Sequence, residues 1–375
     1  MAYELIIYNK AYVFQGWVNA PNSLKVTPRH NLTSTAEIVI DADHIRVAEL
    51  TEAGARVVIF KDGEPKPFIS GPVTLQSGDD LANGGTLTLT VTGDERILHN
   101  ILAFPVPNHT LTGETINGQT VEYRTITAPA ETVLKTILQE NLDRLGRADV
   151  TMAPDLGRGL SATYTFRMHP IYDRLFPQFE QAGLGVSVVQ KDGGLVVDVY
   201  EPAVYPHELS VESGTLVGGS YSTSSPEVTR VIVGGQGEGV NRTFKQYIDT
   251  NREADWGDVI EVLQDARDSG SADVYADRAN ETIDEGSPKA GFSLELSETD
   301  NFRYGGDGVH VGDRVSVRVG NLLITEVLRE AEITWTPDEG DLTTPIVGEQ
   351  ADDPNRKLAR SLRRLLRGDR DRKAY

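Results

Sequence analysis

TRVIVGGQGEGVNR, residues Thr229 to Arg242, is the stretch that the rest of the chain is organised around. Val231, Ile232 and Val233 form a β-branched run, and an unbroken apolar run of this length predicts a strand covered on both faces. Gly234, Gly235, Gly237 and Gly239 follow, with Glu238 among them and Arg242 closing the stretch. Glycine lets the backbone take positive φ or approach another segment closely. A glycine-rich loop after a strand also invites a phosphate-binding reading, but the required chemistry is missing. No Lys-Ser/Thr stands at Walker spacing. Val240 to Asp249, with Thr243, Phe244, Tyr247 and Ile248, reads as another strand where a dinucleotide-binding fold needs a helix. The stretch therefore predicts a bulged strand or tight hairpin of a β-barrel.

Composition narrows the function classes. With 375 residues, 39% hydrophobic and 25% charged, the chain has the make-up of a globular protein with roughly two to four domains. No apolar run reaches the roughly 18 residues of a membrane span, so no membrane anchor is expected. The N-terminus, MAYELIIYNKAYVF, carries Glu4 and lacks a basic leader; it reads as a first strand, not a signal peptide. There are no cysteines, which excludes disulfides, zinc–cysteine sites and a thiol nucleophile. The seven histidines are scattered, and none pairs at i, i+4 as a helical metal site requires.

Catalytic signatures are missing too. There is no His-Glu-x-x-His, and Gly218-Gly219-Ser220-Tyr221-Ser222 ends in Ser where a nucleophile elbow needs Gly. Asp300, Asp307 and Asp313 lie close in sequence, but their spacing departs from a calcium loop and suits turns. No catalytic residue, cofactor site or metal site is predicted, and the chain reads as a non-enzyme.

The formal net charge is −20, and it is uneven. Residues 352–375 hold nine Arg/Lys against four Asp, so the tail is +5 and residues 1–351 carry −25. An acidic body disfavours wrapping of nucleic acid. Within the tail, Asp353-Pro354 is a good helix start, and Leu358, Leu362, Leu365 and Leu366 form a stripe. Arg360, Arg363, Arg364 and Arg367 flank that stripe, and Gly368 ends it. This basic amphipathic helix is either a solvated end or a docking element for another subunit or a neighbouring protein.

Taken in order, residues 1–93 read as all-β. Leu5 to Tyr8, Ala36 to Ile40, Arg56 to Lys61, Phe68 to Leu75 and Thr86 to Thr92 are strands, with turns at Asp62-Gly63 and Asn83-Gly84-Gly85. Thr92-Gly93-Asp94-Glu95 reads as a capping box opening a short helix with Ile97, Leu98, Ile101 and Leu102 on one face. Residues 108–127 read as a hairpin excursion around Asn117-Gly118. Pro129 opens a second helix carrying Val133, Leu134, Ile137, Leu138 and Leu142, and residues 141–160 read as loop. A β-α-β-β unit runs from Thr163, with Pro177 expected to kink or delay its helix, to Glu201-Pro202. Beyond Leu216 to Tyr221 and the organising strand, Trp256 to Ala266 and Ala272 to Ile283 are predicted helices. Gly291 to Leu296, Val315 to Val319, Leu322 to Val327 and Ala331 to Trp335 are the last strands.

Four stretches, in this order and spacing, resemble a known family. They are TGDERILHNILAFPVP, AGLGVSVVQKDGGLVVDVYEP, VTRVIVGGQGEGVNR, and ETDNFRYGGDGVHVGDRVSVRVG leading through Trp335 to TTPIVGE. Spanning most of residues 90–350, they resemble the tail-tip or baseplate hub proteins of long-tailed bacteriophages. The nearest likeness is to minor tail proteins of phages of actinobacteria, which are similar to the trimeric hubs of contractile phages.

The resemblance implies a mixed β-rich α+β chain with two small β-barrels joined by a mixed α/β middle domain. The corresponding segments are 1–93 for the first barrel, 94–213 for the middle, and 214–240 with 290–351 for the second barrel. A helical insertion fills 241–289, and the amphipathic tail is 352–375. It further implies a homotrimer at the virion tail tip, assembled in the bacterial host cytoplasm, which adapts a sixfold tube to a threefold tip. A distal tail ring protein would lie above it and tip or fibre proteins below, with tape-measure protein or DNA in the lumen. Gly234, Gly235, Gly237, Glu238, Gly239 and Arg242 would then sit at a barrel corner or subunit contact. The Pro177 position and the tail depart from the family pattern. The rival reading is a tip-associated protein that binds or hydrolyses cell wall or carbohydrate.

Overall fold

Alternation builds the first strands. In Tyr3–Tyr8 the side chains of Tyr3, Leu5 and Ile7 are buried while Glu4 faces solvent, the period of two that places alternate residues on opposite faces. The structure, a computed structural model, describes residues 3–61, 66–79, 84–108, 119–296, 303–306, 308–338 and 340–348. The turn at Asp62-Gly63, Asn83 of the next turn, residues 109–118 of the expected excursion, Asp300, Asp307 and the whole tail lie outside them.

Among the described residues, thirteen strands form one large sheet. Its path starts at Leu216–Ser224 and continues through Lys289–Leu296, Gly340–Gly348 and Leu322–Thr336. It then crosses to the N-terminal strands Ser23–Thr27, Thr35–Asp41, Thr86–Thr92, Ile69–Asp79, Arg56–Lys61 and Tyr3–Tyr8, and ends on Phe14–Trp17. Arg314–Val319 branches from Leu322–Thr336 and carries Val204–Ser210 in parallel. The two halves of the chain meet at one seam, where Ile333, Thr334 and Trp335 pair with Val26, Lys25 and Leu24. A single apolar core runs beneath both halves, from Leu5 and Ile38 to Val315 and Ile333. The chain is β-rich and its sheets are open; among the described residues none closes into the barrels expected from the sequence. The strands predicted at 322–327 and 331–335 are one continuous strand.

The middle segment has its own core. Val133, Leu134, Ile137, Leu138 and Leu142 repeat at helical spacing in Ala130–Leu145 and are all fully buried. Gly146, at φ +66°, takes the left-handed position that ends this helix. Pro177 does not break Ile171–Gln181. Ile171, Leu175 and Phe179 are fully buried there, and that packing outweighs the backbone bond a proline removes.

Three local expectations fail here. Ser161–Phe166 pairs with Arg124–Pro129, not with the hairpin Gly185–Lys191 and Gly194–Tyr200. The hairpin's third strand is Val150–Met152, inside the stretch read as loop. The capping box does not form: Thr92 bonds the Thr74 hydroxyl, Glu95 accepts from Ser34, and Gly93 precedes a 3₁₀ turn with no side-chain cap.

The organising strand is the largest correction. Arg230–Gly234 belongs to a separate three-stranded sheet, central between Phe244–Ile248 (antiparallel) and Glu261–Asp265 (parallel). The expected helix at 256–266 is instead the end of helix Thr250–Trp256 followed by that third strand. Gly257, at φ +64°, stops the helix, and Val262 then pairs in register beside Val231. Spacing alone favoured the helix, because Val259, Val262 and Leu263 lie at i, i+3, i+4; in the strand Val262 and Leu263 face opposite sides and Val259 lies outside it. Helix Ala272–Glu285 packs on this sheet through Tyr275 and Ala279, so the insertion is α/β and includes residues 228–240.

The loop Arg29–Asn31 ties sheet, middle segment and C-terminal half together. The Asn31 amide donates to Glu180 Oε1 (2.7 Å) and to the Leu184 carbonyl (2.8 Å), and its Oδ1 accepts from Val186 N (3.0 Å). Its own carbonyl accepts from the Tyr172 hydroxyl (2.9 Å). Asn31 sits at φ +54°, a region asparagine tolerates better than most residues. Arg29 pairs with Glu330, Arg329 with Glu180, and His30 Nδ1 bonds the Tyr200 hydroxyl. A second buried link joins Arg56 to Asp94 (2.6 Å) and Gln190 (2.8 Å), with Ser70 bonded to both Asp94 and Gln190 N.

Asn31→Ala is expected to cost about 3 kcal/mol, because it strands several buried partners and puts alanine at positive φ; urea unfolding reads the loss. Beside this junction the Glu95 Oε2 is sealed from solvent with no partner among the described residues, and burial pushes that carboxyl up to about 7. The folded state then holds this proton more tightly than the unfolded chain, whose carboxyl titrates near 4.5. The sign follows: this group favours folding most below about pH 4.5, and stability falls as pH rises through about 7. Buried His30, lowered to about 3 by burial and then by Arg329, acts oppositely and costs stability as pH falls below 6.5. Urea midpoints of the native chain are therefore expected to fall relative to those of Glu95→Gln as pH rises from 5 to about 7, the His30 contribution being common to both.

Candidate functional site

The glycine stretch is a hairpin turn stapled by an arginine. Arg242 lies back over the end of the central strand; its Nη2 donates to the Gly234 carbonyl (2.8 Å) and its Nε to the Gly235 carbonyl (3.2 Å). The same guanidinium pairs with Asp265 on the third strand. A Cβ on Gly234 would stand 2.4 Å from Arg242 Nη2. On Gly235 it would stand 1.9 Å from the Tyr275 hydroxyl, which donates to the Ser269 carbonyl (2.6 Å). Gly237, at φ +103°, would drive a Cβ to 2.3 Å from the Asn241 carbonyl. Gly239 is different: it faces open space and needs glycine only for its φ of +54°.

Several amides of the stretch bond the chain itself: Gly235 N to Thr243 O, Thr243 N to Gln236 O, and Asn241 N to Glu238 O. Of the predicted residues, the structure brings Gly234, Gly235, Gly237 and Arg242 together. Glu238 and Gly239 stand at the exposed tip beside Val240, whose side chain is fully in solvent. Leu358, Leu362, Leu365, Leu366 and the tail arginines lie outside the described residues. Asp313, from the rejected calcium reading, accepts from His310 N and Ala203 N and so serves a turn.

A surface that pattern reading missed lies on the same small sheet. Val231, Tyr247 and Val262 share one cross-strand row and face helix Ala272–Glu285. The alternate rows face away from that helix: Ile232 beside Leu263, and Gly234 between Phe244 and Asp265. Leu263 is 62% and Phe244 53% exposed, and Ile248 is exposed in the row beyond. Trp256 and Val259, in the connection between the outer strands, are exposed as well. Recognising Glu261–Asp265 as a strand would have revealed this face, since Val262 and Leu263 then point oppositely.

The model of the siphovirus ReqiPepy6 Gp37-like protein family matches residues 4–349, through all three cores. The chain belongs to this family. It is a structural component of a phage tail, as the resemblance implied. Three solved structures that share the fold of this chain are tail proteins. The 43 kDa tail protein of prophage MuSo2 from Shewanella oneidensis superposes with TM-score 0.56 at 12% identity, over 92% of this chain and 98% of that one. Prophage tail protein gp18 from Listeria monocytogenes gives 0.53 at 12% identity, over 96% and 99%. A tail protein from Neisseria meningitidis gives 0.51 at 13%, over 93% and 97%. No curated protein matches the sequence.

Gly235→Ala is expected to destabilise the insertion by about 1–3 kcal/mol, as overpacking against Tyr275 does. Gly239→Ala is expected to cost only about 1 kcal/mol, for φ alone. Hydrogen exchange of residues 230–248 in the two variants separates the cases.

Proposed function

We propose that three copies of this Gp37-like chain form the hub at the distal tip of the tail. The hub adapts the sixfold tube to a threefold tip, supports host attachment and passes DNA. The observation that carries this reading is family membership across residues 4–349 together with two strand sets, N-terminal and C-terminal, joined at one seam. On this reading residues 1–93 supply one barrel-like unit of the ring, and 214–224 with 290–351 supply the other. Residues 94–213 bridge them, and residues 228–288 stand off as an insertion.

Each open end of the large sheet supports a neighbour. Phe14–Trp17 ends one side with Phe14 and Trp17 exposed, and Leu216–Ser224 ends the other with Val217 and Tyr221 exposed. An unpaired strand edge is a template for another chain. The −25 charge of residues 1–351 suits a lumen through which DNA slides without sticking. The hub would assemble in the host cytoplasm, with a tail ring protein above and tip or fibre proteins below. Its role is mechanical, with no catalytic residue assigned.

Light scattering over a range of concentrations is expected to converge on three times the 41.0 kDa chain mass. A single-chain mass at every concentration, together with one copy per tail in quantitative mass spectrometry of virions, would falsify the trimeric hub.

A further inference from the structure

We infer that strand Leu216–Ser224 of one copy pairs antiparallel with the outer edge of strand Ile69–Asp79 of a second copy, in the register that sets Gln76 opposite Thr223 and Gly78 opposite Tyr221. The two strand sets repeat one plan. Taken in chain order, Val204–Ser210, Leu216–Ser224, Lys289–Leu296, Arg314–Val319, Leu322–Thr336 and Gly340–Gly348 have the same neighbours as Tyr3–Tyr8, Ser23–Thr27, Thr35–Asp41, Arg56–Lys61, Ile69–Asp79 and Thr86–Thr92. One difference is direction: Val204–Ser210 runs parallel to its partner and Tyr3–Tyr8 antiparallel. The match extends to single residues. Ile69–Asp79 leaves Arg56–Lys61 for Thr86–Thr92 at a bulge, with Val73 opposite Val91 and Leu75 opposite Thr90. Leu322–Thr336 leaves Arg314–Val319 for Gly340–Gly348 at a bulge too, with Leu328 opposite Val347 and Glu330 opposite Ile346. Aligning the two bulges sets Gln76 on Ala331 and Gly78 on Ile333. The cross-strand rows Val26, Ala36, Val91 and Tyr221, Phe292, Val347 then coincide, which sets Tyr221 on Val26.

This repeat implies a second seam. Within the chain, Ser23–Thr27 closes the edge of Leu322–Thr336 beyond its bulge, with Ile333 opposite Val26; Ala331, Ile333, Leu24 and Val26 are all buried there. Among the described residues, Ile69–Asp79 pairs beyond its own bulge only with Thr86–Thr92, and Leu216–Ser224 pairs only with Lys289–Leu296. Positions buried at the closed seam are therefore open at the matching edges. Gln76 and Gly78 are exposed where Ala331 and Ile333 are buried, and Tyr221 is 42% exposed where Val26 is 0%. A strand edge of this kind is a template for a strand of another chain.

The faces agree with the register. Gln76 lies opposite Leu89, which is buried in the core, so Gln76 and Gly78 are on the core face of their strand. Tyr221 shares a face with Gly219, which lies opposite buried Leu294. The register thus runs core face into core face, and Gly78 leaves room for the Tyr221 ring. A slip of one residue would set core face against outer face. Each copy offers one edge of each kind, so the contact is head-to-tail and either closes a ring or extends a filament. The number of copies rests on the trimeric hub reading; the pairing does not.

The lack of cysteine makes the test direct. The full chain carrying Gln76→Cys and Thr223→Cys is oxidised and run on a denaturing gel without reductant. Directly opposed residues of an antiparallel pair are about 4.5–5.5 Å apart at Cα, within reach of a disulfide. Covalent oligomers at least tenfold more abundant than from either single variant are expected, ending at three chains. Lys25→Cys with Thr334→Cys, at the seam within the chain, is the positive control. Gln15→Cys with Thr223→Cys tests the rival edge at Phe14–Trp17. A sample that is trimeric by light scattering yet gives no link between positions 76 and 223 overturns the pairing and leaves the trimer standing. Linkage through Gln15→Cys in its place overturns the pairing as well. Linked ladders that run past three chains support the pairing and overturn the trimer. A chain that stays single and unlinked at every concentration overturns both.

Discussion

The arrangement of the chain depends on the side chain of Asn31. It is buried at a junction of three segments far apart in sequence, and its amide satisfies Glu180, Leu184 and Val186 at once. Buried polar groups are costly unless fully bonded, so such a residue sets position as much as it adds stability. Around it Arg29 reaches Glu330, Arg329 reaches Glu180, and His30 meets Tyr200. N-terminal sheet, middle segment and C-terminal half are thus held in one relative position.

That constraint gives the seam its meaning. Three residues of Leu322–Thr336 pair with Ser23–Thr27, and Lys25 faces Glu332 across them. A seam this short joins two strand sets only because the core beneath is continuous and the Asn31 loop holds the ends. For a tail component this matters mechanically: load entering one strand set passes to the other through packed apolar contacts and charge-assisted bonds. The insertion, by contrast, has a small core of its own and touches the middle segment through few polar contacts, such as Thr165 to Asp277 and Arg174 to Glu281.

Much of the local structure was legible. The alternation of Thr86–Thr92, the stripe of Ala130–Leu145 and the hairpin around Asp192-Gly193 are local patterns, and the structure keeps each. The misreadings came where two patterns were degenerate. Val259, Val262 and Leu263 suit a helix until Val231 is known to lie alongside. Thr92 and Glu95 suit a capping box until Thr74 and Ser34 offer other partners. At the glycine stretch the sequence predicted the need for glycine, but not that Arg242 and Tyr275 would impose it.

The sequence by itself determined the β-rich character, the family, the absence of thiol chemistry and the uneven charge. These follow from residue type and short-range period, which the chain carries wherever it folds. Only the tertiary structure decided which sheet the organising strand joins, which face of the insertion stays open, and which loop holds three segments together. Strand partners and buried hydrogen-bond networks are set by contacts between segments separated in sequence, from tens of positions in the small sheet to about 150 at Asn31, and no local pattern records them.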